Sequence, residues 1–113
     1  MSGEDAAALP GDVRLFLDGA WRDGRSGWLP ISDPATGEMI GRVALADEHD
    51  VRDAVEAAQA AFRGWATTPA GERGAVLKRA ARLLSERGRQ IAHTLSLEGG
   101  KTTPEALGEL GRA

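Results

Sequence analysis

The stretch from Pro69 to Leu97 (PAGERGAVLKRAARLLSERGRQIAHTLSL) constrains this chain more than any other. Stepped at about 100° per residue, its apolar side chains Val76, Leu77, Ala80, Leu83, Leu84, Ile91 and Leu95 fall on one arc. Lys78, Arg79, Arg82, Ser85, Glu86, Arg89, Gln90 and His93 fall on the opposite arc. Arg87 alone breaks the pattern, lying within the apolar arc, where it must snorkel or find a partner. The spacing predicts one long amphipathic helix that needs a broad apolar surface to lie against.

The preceding segment offers that surface. Asp47 is a good N-cap, Asp50 stands three residues on, and acids fill the first turn, where the helix dipole favours them. Val51, Ala54, Val55, Ala58, Ala61, Phe62 and Trp65 keep helical spacing for over four turns. Thr67-Thr68-Pro69 then provides a second N-cap with proline at the first helical position. Two amphipathic helices meeting at a short connection are expected to pack as an antiparallel hairpin. Glu98-Gly99-Gly100 ends the long helix, with Gly99 as the left-handed cap. Thr103-Pro104 opens a third helix whose Leu107 and Leu110 begin an apolar stripe, which the remaining residues to Ala113 do not complete.

Ahead of the helices the patterning is extended. Residues 1–12 are small and acidic, with Pro10 and Gly11, and are expected to form a flexible arm. Val13, Leu15 and Leu17 alternate as one short strand, Asp18-Gly19 is a tight-turn dipeptide, and Ala20-Trp21-Arg22 returns as the second strand of a hairpin. Trp28 to Ile31 is extended, and Pro30 confines it to an edge. Asp33-Pro34-Ala35-Thr36-Gly37 is a turn in which Asp33 accepts from nearby amides and Pro34 presets φ. Glu38 to Leu45 reads as a strand with Met39, Val43 and Leu45 on one face and Ile40 and Ala44 on the other, so it calls for cover on both sides. Gly41 within it marks a bulge or a close backbone approach.

Composition narrows the function. The 113 residues fit one small domain, and 27% charged with 42% hydrophobic residues is a globular balance. A net charge of −3 argues against nucleic acid as a partner. The basic arc of the long helix lacks the interleaved aromatics of a strand-binding surface and reads as solvated. There is no cysteine, which excludes disulfides, zinc–thiolate sites and a thiol nucleophile within these residues and fits a cytoplasmic, reducing compartment. No apolar run reaches membrane-spanning length, so no membrane partner is expected.

The residues carry little visible chemistry. His49 and His93 are far apart on expected polar faces, with no neighbouring set of metal ligands. The acids Asp47, Glu48, Asp50 and Asp53 coincide with a helix start, which accounts for them. Gly100-Lys101-Thr102 resembles the end of a phosphate loop, but Leu95 stands where that motif needs glycine, and a helix rather than a strand precedes it. There is no Gly-x-Gly-x-x-Gly. No residue is therefore assigned a catalytic, cofactor-binding or metal-binding role.

The order of segments, however, resembles the N-terminal region of the NAD(P)-dependent aldehyde dehydrogenase superfamily. The pieces are Asp33-Pro34-Ala35-Thr36-Gly37-Glu38 with Ile40-Gly41, then Ala61-Phe62-Arg63-Gly64-Trp65. They continue with Thr68-Pro69-Ala70 and Glu72-Arg73, and finally Leu97-Glu98-Gly99-Gly100-Lys101. Gly99 and the run Thr102-Thr103-Pro104 depart from the usual pattern. The resemblance covers nearly all of the chain from about Leu15. It implies an α/β family fold with a Rossmann-like cofactor domain, of which residues 13–113 would be the incomplete N-terminal part. On its own the chain is expected to be α+β: a β-hairpin and short strands, an antiparallel helical hairpin, and the start of a third helix.

The resemblance also implies a function. In the family a cysteine thiolate adds to an aldehyde, hydride passes to NAD or NADP, and water releases the carboxylate. The residues bearing those roles lie beyond this sequence. This chain alone is expected to be inactive and to bind no cofactor, its partners being the rest of the enzyme chain or further copies in a homo-oligomer. The alternative is a non-catalytic relative whose helical hairpin binds another protein.

Overall fold

A computed structural model describes residues 11–113, and the residues of the expected arm before Gly11 lie outside the described part. Gly11 and Asp12 belong to a strand. The expected single strand from Val13 to Leu17 is instead two, β1 (Gly11–Val13) and β2 (Leu15–Leu17), which join different sheets. Alternation along a strand reports which faces are covered, not which strand it pairs with, so the division at Arg14 left no trace in the pattern.

The hairpin forms as expected. β2 pairs antiparallel with β3 (Ala20–Arg22), and Asp18 and Gly19 both adopt positive φ, 50° and 77°, as a type I′ turn requires. β4 (Trp28–Ser32) is an edge strand, so Pro30 removes no ladder bond that the sheet needs, and β5 (Met39–Ala44) is central between β4 and β1. β1 runs parallel to β5 and β4 antiparallel to it. Ile31 faces Gly41 and Ser32 faces Met39, which leaves Ile40 as the extra residue of a bulge. Gly41 itself serves close approach: a Cβ there would stand 2.2 Å from the Gly11 carbonyl oxygen of β1. Arg42 binds the strands together, donating to both carboxylate oxygens of Asp12 (2.9 and 2.5 Å) and stacking 4.9 Å over Trp28.

Between β4 and β5 the Asp33 turn closes as its chemistry predicts. The Asp33 side chain accepts from the Ala35 amide at 2.8 Å, its carbonyl accepts from Gly37 at 2.7 Å, and Gly37 has φ 75°. Of the two faces of β5, one is covered: Ile40 and Ala44 are buried while Met39 is 64% exposed.

Four helices follow: α1 (Glu48–Thr67), α2 (Ala70–Glu86), α3 (Gly88–Gly99) and α4 (Thr103–Arg112). Asp47 caps α1 in a reciprocal capping box with Asp50. The long helix is broken at Arg87, whose backbone leaves helical geometry (φ −96°, ψ 10°). That break resolves the misplaced charge, because Arg87 points to solvent. Gly88 beside it is buried, with space for a Cβ only 3.3 Å from Leu110 of α4. The closely packed pair α3–α4, which also buries Ala92 and Ala106, therefore sets where the helix turns. The left-handed cap is Gly100 (φ 69°), not Gly99, which remains helical.

The antiparallel hairpin of α1 and α2 is absent. Thr68 and Pro69 are both extended (ψ 132° and 141°), and Pro69 is itself the N-cap of α2 rather than its first helical residue. A residue before proline avoids helical geometry, so the connection carries α2 away from α1 instead of folding it back. The Thr68 hydroxyl and amide both donate to the Gly64 carbonyl, which seals the end of α1. The apolar faces meant for each other consequently stay open: Val55 is 60% exposed, Phe62 67% and Leu77 67%. The radius of gyration is 17.3 Å, against about 13 Å for a compact domain of this length.

Candidate functional site

The densest polar chemistry in the structure lies where the β2–β3 hairpin meets α1. Its centre is Asp50, whose side chain is fully buried. The capping requirement of α1 puts Asp50 at the third helical position, where its carboxylate accepts from the Asp47 amide at 3.1 Å. β3 delivers Arg22, which donates to Asp50 at 2.9 Å and to Asp53, one turn on, at 2.7 Å.

The loop after β3 completes the arrangement. Ser26 donates to the Leu45 carbonyl, and Leu45 donates back to Gly27, so the loop runs along the end of β5. The contact is close enough that a Cβ on Gly24 would fall 2.0 Å from the Leu45 oxygen. This places the Arg25 amide 2.8 Å from Asp50, with its guanidinium 3.8 Å from Asp50 and 3.7 Å from Asp53.

These neighbours fix the protonation state. The Arg25 amide, followed by the Asp47 amide and the Arg22 guanidinium, lowers the Asp50 pKa to about 2 against the opposing effect of burial. Asp53 is lowered chiefly by Arg22, whose own pKa is raised by the two carboxylates. A buried carboxylate surrounded by donors and held ionised is a poor proton acceptor and has no lone pair facing a ligand. The site is a clasp between hairpin and helix rather than an acid–base centre.

Sequence reasoning missed this clasp. It explained Asp50 and Asp53 by the helix dipole alone and gave Arg22 and Arg25 no partner. A signal was present: two arginines flank the Asp23-Gly24 turn, and the two acids lie three apart on one helix face.

The other candidates are used locally. His49 on α1 and His93 on α3 are both exposed, and among the described residues no three His, Cys, Asp or Glu side chains are grouped to hold a metal. Gly100 is the left-handed cap, Lys101 pairs with Glu109, and Thr102 caps α4 in a box with Glu105. The Lys101 ammonium lowers the Glu109 pKa, and the Thr102 amide lowers that of Glu105. Pro34 Cγ lies 3.0 Å from where a Gly100 side chain would begin. The turn motif and the helix-end motif that resemble the family thus meet in space. A shallow depression on α1 is lined by Glu56, Gln59, Ala60 and Arg63 of that helix alone, too open to enclose a ligand. Arg73 Nε and Ser96 Oγ are buried with no partner among the described residues.

Comparison with known proteins places this arrangement. Residues 21–113 match the aldehyde dehydrogenase family. An N-succinylglutamate 5-semialdehyde dehydrogenase from Caulobacter vibrioides is 47% identical over 96 residues, which cover 85% of this chain and 20% of that protein. A Sinorhizobium meliloti protein assigned as a methylmalonate-semialdehyde dehydrogenase, solved with NAD, superposes with a TM-score of 0.84 at 40% identity. It is covered over 21% of its length, by 89% of this chain. An NADP-dependent glyceraldehyde-3-phosphate dehydrogenase from Bacillus halodurans, solved with NADP, gives 0.86 at 31% identity, covering 89% of this chain and 21% of that one. The chain thus spans about a fifth of the length of the relatives it matches, and it belongs to the aldehyde dehydrogenase family.

Proposed function

We propose that these residues serve as the N-terminal part of an enzyme that oxidises an aldehyde to a carboxylate with NAD or NADP. Residues 13–113 would begin its cofactor-binding domain, with residues 1–12 as an arm, in a cytoplasmic protein as the cysteine-free composition suggests. One observation carries this reading: the match runs over residues 21–113 while filling only 20% of the Caulobacter relative. The open apolar faces of α1 and α2 and the orphaned Arg73 Nε and Ser96 Oγ support it, since such groups are normally covered or bonded.

The residues present do not suit a dinucleotide. Gly100-Lys101-Thr102, the nearest approach to a phosphate loop, is used in two helix caps and an ion pair. We therefore assign no residue of this chain to catalysis, cofactor or metal, and its contribution is architectural. The helical-hairpin binding module is not favoured, because α1 and α2 do not form the hairpin it requires.

Two assays test the proposal. The purified chain, offered aldehydes with NAD+ or NADP+, is expected to form no NAD(P)H. A chimera in which residues 21–113 replace the matching segment of the Caulobacter relative is expected to oxidise that enzyme's aldehyde. Turnover by the chain alone, or a folded but inactive chimera, would overturn it.

A further inference from the structure

Val51, Val55, Ala58, Phe62 and Trp65 succeed one another at steps of four, three, four and three residues, a continuous seam about 21 Å long on α1. All five side chains are exposed. The contacts α1 makes with its own chain use a different face, carrying Asp50, Asp53, Ala54 and Ala57, roughly 110° around the helix from the seam. The clasp therefore fixes the rotation of α1 and turns the seam outward. Ala54 and Ala61 flank the seam on that side and let another backbone come close, while Arg52, Glu56 and Arg63 lie on the opposite flank or behind.

We infer that this seam is the surface by which the chain docks onto an apolar, uncharged face supplied by the remaining length of an aldehyde dehydrogenase polypeptide. The inference rests on the proposed function and deepens it by naming the surface and its occupant. The occupant follows from length. The relatives are about five times longer than the matched segment, α2 does not cover the seam, and a soluble protein rarely leaves so long an apolar stripe unpaired.

Cysteine labelling tests this directly, because the chain has no cysteine of its own. Val55→Cys and the off-seam control Glu56→Cys are each made in the 113-residue chain and in the Caulobacter chimera, and maleimide attachment is followed on the α1 peptide by mass spectrometry. In the chain alone both positions should react fast. In the chimera Val55→Cys should slow by about 100-fold or more while Glu56→Cys is unchanged. Equal rates at the two positions in the chimera would overturn the inference. So would concentration-dependent protection of Val55→Cys in the chain alone, which would make a second copy the occupant. Should the cysteine variant misfold, hydrogen exchange along α1 in the unsubstituted chimera gives the same reading, and an α1 that exchanges freely there would sink the idea. Turnover by the chimera reports separately on the proposed function, so a protected seam in an inactive chimera would retain the docking surface and reject the activity.

Discussion

The N-terminal clasp and the α2 helix are built from equally regular local structure, yet one is tied to its surroundings and the other is not. At the clasp, one buried carboxylate collects donors from β3, from the following loop and from its own helix start. Along α2 the apolar arc is complete in sequence, but Val76, Leu77 and Leu83 all remain exposed and no side chain caps the helix start. Isolated helices of this length are marginal in water, and most helical stability in proteins comes from burying one face. Regular local structure and tertiary burial are therefore separable here, and substitutions should show the separation.

The largest effect is expected at Asp50. Asp50→Ala leaves Arg22 half-buried without its main anchor and strands two backbone amides, so the hairpin should come away from α1. The melting temperature should fall by about 10 °C or more, and Arg22 and Arg25 should become early sites of tryptic cleavage. If cleavage there is no faster than in the parent chain, the clasp does not hold the hairpin.

Acid should attack the same place. The folded Asp50 pKa near 2 lies below the unfolded value of about 3.9, so its stabilisation is fully present above pH 4 to 5. It is lost as pH falls from there toward 2. Asp12, Asp53, Glu105 and Glu109 are lowered too and act in the same direction. Thermal melts across this range should show the loss, and Asp50→Asn should flatten its Asp50 component. An equally steep slope in the variant would assign the acid sensitivity to the other carboxylates.

Gly41→Val should cost about 1–3 kcal/mol, since its Cβ would strike the Gly11 carbonyl and push β1 from the sheet. Denaturant titration measures this directly. The smallest effect is expected on α2. Leu77→Gln replaces a large apolar residue by a good helix former at a site that touches little, and should change stability by less than about 0.5 kcal/mol in this chain. A loss comparable to that of Gly41→Val would show that α2 is packed after all.

The features legible in the sequence are those made by neighbours along the chain. The Asp18-Gly19 turn, the Asp33 turn, the edge position of Pro30 and the Asp47 cap of α1 each need only a few consecutive residues, and each forms. The break at Arg87 was harder, because the apolar arc keeps its phase from Leu84 to Ile91 straight through it. Its only local sign is a charged residue in that arc beside a glycine, and the need for the glycine comes from Leu110, over twenty residues away. The clasp was harder still, since each of its acids had an adequate local explanation.

By itself the sequence determined the strands, turns and helix caps, the amphipathic character of the helices, and the kinship with aldehyde dehydrogenases. Those depend on short-range hydrogen bonding, on side-chain periodicity and on the order of motifs along the chain. Only the tertiary structure decided that Gly11–Val13 joins β5, that the long helix turns at Arg87, and that Asp50 takes Arg22 and Arg25. It likewise decided that α1 and α2 part rather than pair. An amphipathic face specifies that it must be covered but not by what. That choice is made by the direction of a two-residue connection and by contacts between residues distant in the chain.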